Sequence, residues 1–314
     1  MYKFAFTYLV KQDKKTWSDF HYSLILLDNN ILSKLKCKYK VLIFSEGEPS
    51  KKVKSLIKSL SSKKYDIFIK KINLKEYVKR DDSYLYPEKL PHVSDCTKTF
   101  SLGYRDMCKF FAIDIFKDNL LKDTEYFIRV DTDSFFLDVQ RNFITSLEQI
   151  NSDYGYINGT IQPEDKGVTF GFGNCLYNFC RKQEIMRLIS NDYLKICQEA
   201  TLEPNIFYTN FEIIKLNWIR QDLHTKLLKY IINKKGIYLF RWGDALIRYY
   251  SVKILNAKTS KLNGCLYKHS GMYDSRLFFK KIIGKIYSKI KRKSHENDYE
   301  FNLSKIDKIF LNIK

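Results

Sequence analysis

The chain has 314 residues, 45% of them hydrophobic and 16% aromatic, enough to bury a sizeable core in one large domain or two fused halves. Lysine and arginine number 55 against 35 aspartate and glutamate, and the net charge of +20 suits polyanions such as nucleic acid, anionic lipid or phosphorylated ligands, or marks a lysine-rich composition that keeps the chain soluble. The seven cysteines are odd in number and include no C-x-x-C, and no histidine stands at zinc spacing from the nearest pair, Cys175 and Cys180, so a small disulfide scaffold is excluded.

The first third alternates strand and helix. Tyr2 to Val10 reads as a strand, Thr16 to Asn30 as a helix starting near Thr16 or Ser18, and Tyr39 to Glu46 as a second strand. Ser50 to Leu60 has helical spacing and Tyr65 to Ile72 is strand-like. This order predicts a βαβαβ unit with a parallel sheet. No G-x-G-x-x-G follows the first strand, which argues against a dinucleotide-dependent oxidoreductase. The opening MYKFAFTYLV is too short and mixed for a secretory signal. No apolar run reaches the length of a membrane-spanning helix, so the expectation is a soluble or peripheral chain with reduced thiols, or one disulfide in an oxidising compartment.

Periodicity is lost from Asn73 to Ser101, which contains Pro87 and Pro91 and reads as a long loop over the sheet. Gly103 to Asp123 is helical in pattern and leads into YFIRVDTDSFF, Tyr126 to Phe136. There an apolar strand ends in two carboxylates, Asp131 and Asp133. In open α/β sheets ligands bind at such strand ends. Two carboxylates one residue apart repel each other, and a hard divalent cation such as Mg2+ or Mn2+ relieves that repulsion. An ion so held keeps places for phosphate oxygens and stabilises a departing nucleoside diphosphate. A D-x-D also occurs in ordinary turns, where aspartate bonds its own backbone.

Tyr154 to Ile161 reads as a further strand, Lys182 to Cys197 contains a helix, and Asn210 to Gly236 is an extended segment turning into a helix with Gly236 as its C-cap. Ile237 to Leu255 reads as strand into helix. No repeat, low-complexity stretch or flexible linker is visible. The expected organisation is one catalytic unit over 1–277 and a tail over 278–314. The tail segment FFKKIIGKIYSKIKRK has seven basic residues and no acid, with Phe278, Phe279, Ile282, Ile283, Ile286 and Ile290 at helical spacing. It reads as a basic amphipathic helix for an anionic membrane surface, or as a terminal helix packed on the domain with its lysines in water.

The blocks GYRDMCKFF, YFIRVDTDSFF, YGYI, YTNFEI, LFRWGDALIRYYSV and YKHS, in this order, resemble the fungal α-1,2-mannosyltransferase family. The likeness runs from about Tyr2 to Met272 and is densest from Gly103 to Ala245. It implies a GT-A glycosyltransferase fold, a Rossmann-like mixed sheet with an N-terminal nucleotide-binding half and a C-terminal acceptor half. It also implies GDP-mannose as donor, Mn2+ (or Mg2+) as cofactor, retention at the anomeric carbon, and transfer to the 2-hydroxyl of a mannose in a glycan or lipid-linked acceptor.

Position by position, the resemblance makes Asp131, Asp133, His269 and Glu164 metal ligands, with Asp165 an equal candidate to Glu164. It places Tyr104, Arg129, Asp131 and Arg241 at the nucleotide and diphosphate. Glu212 becomes the carboxylate beside the anomeric carbon, either a covalent nucleophile or a stabiliser of an oxocarbenium-like transition state. Asp244 falls at the donor and acceptor sugars. Taken singly, Glu212 also suits a helix start, and Arg241 with Asp244 a salt bridge beside Trp242. The family's E-P-D is D-T-D here, which bears on the metal and the donor. The family's members are type II Golgi enzymes, and this chain shows no anchor, so the expected location is cytoplasmic and peripheral on a membrane, or the Golgi lumen if an anchor is missing. With neither an RNP-type motif nor a zinc finger, nucleic acid is not an expected partner.

Overall fold

Strand β1 (Tyr2–Val10) alternates its side chains between two cores. Phe4, Phe6, Tyr8 and Val10 face one apolar cluster, and Ala5 faces the other. The computed structural model describes residues 1–61, 66–81, 100–157 and 159–269. Within it, β2 (Tyr39–Ser45) and β3 (Asp66–Lys71) follow β1 in parallel register. β2 is buried along its whole length, as a parallel strand between two neighbours and covered on both faces requires.

On the other side of β1 runs β4 (Thr124–Val130), also parallel. β9 (Phe211–Lys215) pairs antiparallel with β4 and with β6 (Tyr154–Ile157), and β10 (Thr259–Leu262) closes the far edge beside β6. The seven-stranded order is therefore β10-β6-β9-β4-β1-β2-β3. Two small ladders stand apart from it. One joins β5 (Ser134–Val139) to β11 (Cys265–His269), the other β7 (Ile161–Pro163) to β8 (Asn205–Phe207).

Helices cover both faces. Lys14–Asn30, Lys51–Ser61 and Arg141–Glu148 pack on one, and Leu102–Ala112, Phe172–Cys180 and Asp244–Ile254 on the other. This is the layered α/β arrangement that the alternation predicts. One compact unit spans Met1–His269. The tail over 278–314, its boundary at 277, and the prolines of the long loop lie outside the described residues. No helix among the described residues is long and apolar enough to cross a membrane.

Several expectations need correction. The first helix starts earlier than Thr16, because the Asp13 carboxylate accepts from the Thr16 backbone N–H at 2.8 Å and hydroxyl at 2.7 Å. The helix over Gly103 to Asp123 stops at Ala112 and gives way to two 3-10 turns, the second capped by Asp118. The strand over Tyr154 to Ile161 breaks in two, with Gly159 at φ 83° between the halves. The helix expected near Lys182 to Cys197 is present as two pieces, Gln183–Met186 and Tyr193–Leu202. Gly236 is not a C-cap. The helix Asp222–Asn233 ends before it, Lys235 takes the left-handed φ of 62°, and Gly236 opens a short turn of helix, Gly236–Leu239. A Cβ on Gly236 would lie 2.1 Å from the Trp242 indole, so the glycine serves close packing. No strand precedes the helix Asp244–Ile254, since that turn of helix and Arg241 at φ 65° occupy the segment.

Candidate functional site

The carboxyl end of β4 lies where the chain order reverses, with β1 and β2 to one side and β9 to the other. Val130 pairs with Phe211, so the start of β9 and the residues just before it meet the end of β4. The Asp131 backbone N–H donates to the Asn210 carbonyl at 2.9 Å, and a turn then brings the Ser134 N–H to the Asp131 carbonyl at 3.0 Å. β5 begins at Ser134 and pairs with β11 so that His269 stands opposite Ser134. That ladder swings His269 over the two aspartates.

The result is a three-residue group. One ligand atom each from Asp131, Asp133 and His269 lies within 4.8 Å of the others. His269 Nε2 is 3.0 Å from Asp133 Oδ1 and 2.8 Å from Asn210 Nδ2. Its Nδ1 meets the Tyr208 hydroxyl at 2.8 Å, which orients the ring and leaves Nε2 facing the carboxylates. Burial pushes the Asp133 carboxyl up, but the hydrogen bond and charge of His269 outweigh it and hold the group below its ordinary value.

The group fits a divalent ion by its donor set, two carboxylates and an imidazole at the surface end of a strand. The buried Asn210 Oδ1 beside it has no hydrogen-bond partner. Mg2+ prefers an all-oxygen shell, so the imidazole favours Mn2+.

Behind these ligands stands a layer of buried charge. Alternation along β4 and β9 puts Arg129 and Glu212, cross-strand neighbours, on the same face as Phe127 and Ile214. Arg129 donates from Nε to Asp131 Oδ1 at 2.7 Å and from Nη2 to Asp131 Oδ2 at 3.2 Å. Its Nη1 donates to Asp244 and to Thr209 Oγ1, and the Thr209 hydroxyl donates to Asp244 Oδ2 at 2.9 Å. Its guanidinium also lies 3.7 Å from the centre of the Phe111 ring. Burial works against this charge, yet Asp131 and Asp244 outweigh it and raise the Arg129 pKa well above its ordinary value. Asp244 is the first residue of its helix, where the macrodipole favours an anion.

Glu212 lies one layer deeper and is 0% exposed. Burial raises its carboxyl pKa, and the nearby Arg248 and Arg129 oppose the rise. Arg248 Nε donates to Glu212 Oε2 at 3.2 Å. Glu212 Oε1 and the Tyr154 hydroxyl have no partner at hydrogen-bond geometry, although each influences the other's ionisation.

Glu164 does not join the three-residue group. Its Oε2 faces Arg241 Nη2 at 3.6 Å, while Asp165 Oδ1 accepts from its own loop at Gly167. Arg241 stacks 4.2 Å from the Phe100 ring, and its buried Nε has no partner. Tyr104 packs beside both, its ring 4.4 Å from Phe100 and 5.9 Å from the Arg241 guanidinium. The neighbouring Cys108 thiol and then burial raise the Tyr104 pKa. The structure thus gathers Asp131, Asp133 and His269, joins Arg129 and Asp244 to them, sets Glu212 beneath, and leaves Tyr104, Arg241 and Glu164 as an adjacent group.

Sequence reasoning passed over Tyr208, Thr209, Asn210 and Arg248. Tyr208 and Thr209 directly precede the N-F-E-I block, Asn210 is its first residue, and Arg248 falls four residues after Asp244, one helical turn on the same face.

Known proteins match this chain in sequence and in fold. Probable mannosyltransferase KTR3 of Saccharomyces cerevisiae is 34% identical over 151 residues, which covers 46% of this chain and 36% of the relative. O-glycoside alpha-1,2-mannosyltransferase homolog 2 of Schizosaccharomyces pombe is 28% identical over 149 residues, 46% of this chain and 39% of the relative. The chain therefore spans well under half the length of the curated relatives it matches. Core-mannan synthase A (CmsA/Ktr4) of Aspergillus fumigatus, solved in a Mn/GDP form, superposes with a TM-score of 0.65 at 18% identity, covering 86% of this chain and 75% of that one. The mannosyltransferase Ktr4p of S. cerevisiae in complex with GDP gives 0.66 at 17% identity, 86% and 71%. The shared architecture is the GT-A glycosyltransferase fold. The family model described as glycolipid 2-alpha-mannosyltransferase matches residues 11–282, most of the chain, and the chain belongs to that family.

Proposed function

We propose that the chain is a metal-dependent, retaining glycosyltransferase that moves mannose from GDP-mannose to the 2-hydroxyl of a mannose in a glycan or lipid-linked acceptor. The observation that carries this reading is the group of Asp131, Asp133 and His269 at the carboxyl end of β4, backed by buried Arg129, Asp244 and Glu212. Family membership supports mannose as the sugar, and the Mn/GDP form of core-mannan synthase A supports the metal and the guanosine diphosphate.

Asp131, Asp133 and His269 would hold the ion, which when bound supplies positive charge beside a diphosphate leaving group. Arg129 takes both oxygens of Asp131 and shares Asp244, fixing one candidate ligand relative to the sugar side of the site. Arg241 has a buried Nε to offer an anion, and Tyr104 packs beside it. Asp244 is set to accept a hydrogen bond from a sugar hydroxyl. For Glu212 the geometry favours the electrostatic role. A covalent nucleophile must touch the anomeric carbon, whereas a fully buried carboxylate stabilises positive charge without contact.

The test is donor turnover by the purified chain with a panel of GDP- and UDP-sugars, with Mn2+ or with EDTA, and transfer to methyl α-mannoside. GDP-mannose turnover that needs Mn2+ is the expected result. Preference for another donor would move the chain to a different sugar, and no donor binding or turnover in any metal condition would sink the catalytic reading.

A further inference from the structure

Arg248 belongs to none of the groups assigned so far, yet it is among the most deeply buried charges, at 1% exposure. Its three nitrogens differ in use. Nε donates to Glu212 Oε2 at 3.2 Å, Nη2 donates to the Phe111 carbonyl at 3.0 Å, and Nη1 has no partner. Phe111 also carries the Arg129 guanidinium on its ring. One residue near the end of the helix Leu102–Ala112 thus fixes two arginines, the first through its ring and the second through its carbonyl.

Four charged or titratable groups bear on Glu212. Arg248 and Asp244 approach from one helix, Arg129 from β4 and Tyr154 from β6. Asp244 and Tyr154 do not supply positive charge. Arg129 does, but its ion pairs are made with Asp131 and Asp244. Arg248 makes its ion pair with Glu212. A carboxylate without solvent and without a cation of its own takes up a proton. Arg248 therefore supplies what the surroundings of Glu212 otherwise lack.

We propose that Arg248 is a positioning residue for Glu212: it occupies Oε2 and keeps the group ionised, so that the buried charge acts on the donor sugar from beneath the site. The proposal rests on the reading that the Glu212 charge serves glycosyl transfer. The rival account makes Arg248 only a bolt between two helices and a strand. The two differ in what moves. A bolt affects stability, whereas a positioning residue affects the chemical step through Glu212 alone.

The experiment compares the full chain with R248K, R248M, E212Q and the double variant R248M/E212Q, using GDP-mannose, Mn2+ and methyl α-mannoside across a pH series. R248M is expected to lower kcat by roughly 10²-fold, with KM for GDP-mannose within about threefold of the parent. Its acid limb moves to higher pH, because Glu212 without its cation protonates sooner. R248K keeps the charge, so it recovers part of the rate and keeps the acid limb near its original place. In the E212Q background R248M adds no further loss. An unmoved acid limb, equal losses in R248K and R248M, or an additive loss in the double variant would overturn the assignment. If R248M does not fold, R248K against R248K/E212Q makes the same comparison. E212Q at the parental rate condemns instead the role given to Glu212, and an inactive parent chain condemns the transferase reading, so those failures are told apart from this one.

Discussion

At Asn210 a single amide nitrogen serves two of the candidate ligands, donating to Asp131 Oδ2 at 2.9 Å and facing His269 Nε2 at 2.8 Å. Groups that orient metal ligands from behind contribute to affinity although they need not touch the ion. Asn210→Ala is therefore expected to weaken Mn2+ binding by about 10–100-fold. Mn2+ titration followed by electron paramagnetic resonance measures this directly, and an unchanged affinity would remove Asn210 from the role. The carboxylates and the late histidine were legible beforehand because charged residues at the ends of apolar blocks stand out and because the blocks come in a characteristic order. Tyr208, Asn210 and Arg248 lie inside those blocks, but no local pattern assigns them a role. A neutral amide or phenol does not announce what it orients, and an arginine inside a helix reads as a surface residue until its neighbours are known. Glu164 is expected among the metal ligands, whereas the fold faces it with Arg241, a pairing that local sequence does not show.

The parallel half of the sheet, β1 to β3 with their helices, was readable because each element is long, periodic and bounded by polar turns. β5, β8, β10 and β11 were not read as strands. They are three to six residues long and owe their existence to partners distant in sequence, which local pattern cannot show. The split of the helix after Ala112 has a similar cause. Asp118 accepts from the Leu120 N–H at 3.0 Å, from Lys70 Nζ at 2.6 Å and from the Tyr77 hydroxyl at 2.7 Å, so a tertiary anchor overrides helical spacing. That anchor ties the edge strand β3 to the turn before β4. Burial pushes the Asp118 carboxyl up, but Lys70, the Leu120 N–H and Tyr77 outweigh it and hold the pKa below its ordinary value. Its stabilising contribution is therefore present above the unfolded pKa and is lost as pH falls through the lower folded value. Asp118→Ala is expected to cost about 2–3 kcal/mol at neutral pH and less in acid, read from urea unfolding at several pH values. A loss that stays constant down to strongly acidic pH would show that the carboxylate charge is not what matters.

Over the whole molecule the excess of positive charge is not used up by the site, which is rich in acids. The sequence from Phe278 to Lys293, outside the described residues, concentrates seven basic residues with apolar ones at helical spacing. Each lysine or arginine near an anionic leaflet contributes about 1 kcal/mol, and an acceptor linked to lipid would be met at such a surface. We propose that the tail carries the chain to anionic membranes. The full chain is expected to co-sediment with phosphatidylserine vesicles and to lose this on deletion of 278–314, while equal sedimentation after the deletion would refute the tail's role.

The β5–β11 ladder has one more consequence, in time rather than in space. A ribosome adds about 5–20 residues per second, so Asp131 and Asp133 leave it well before His269 is made. β1, β2 and β4 can pair from the part already synthesised, yet His269 reaches the aspartates only when Cys265–His269 docks on Ser134–Val139. A product cut short between β10 and His269 keeps every strand of the main sheet and lacks the histidine. The main sheet and the three-residue group are thus completed at different moments of the chain's life, and a nascent copy can be largely folded before its two aspartates have a histidine beside them.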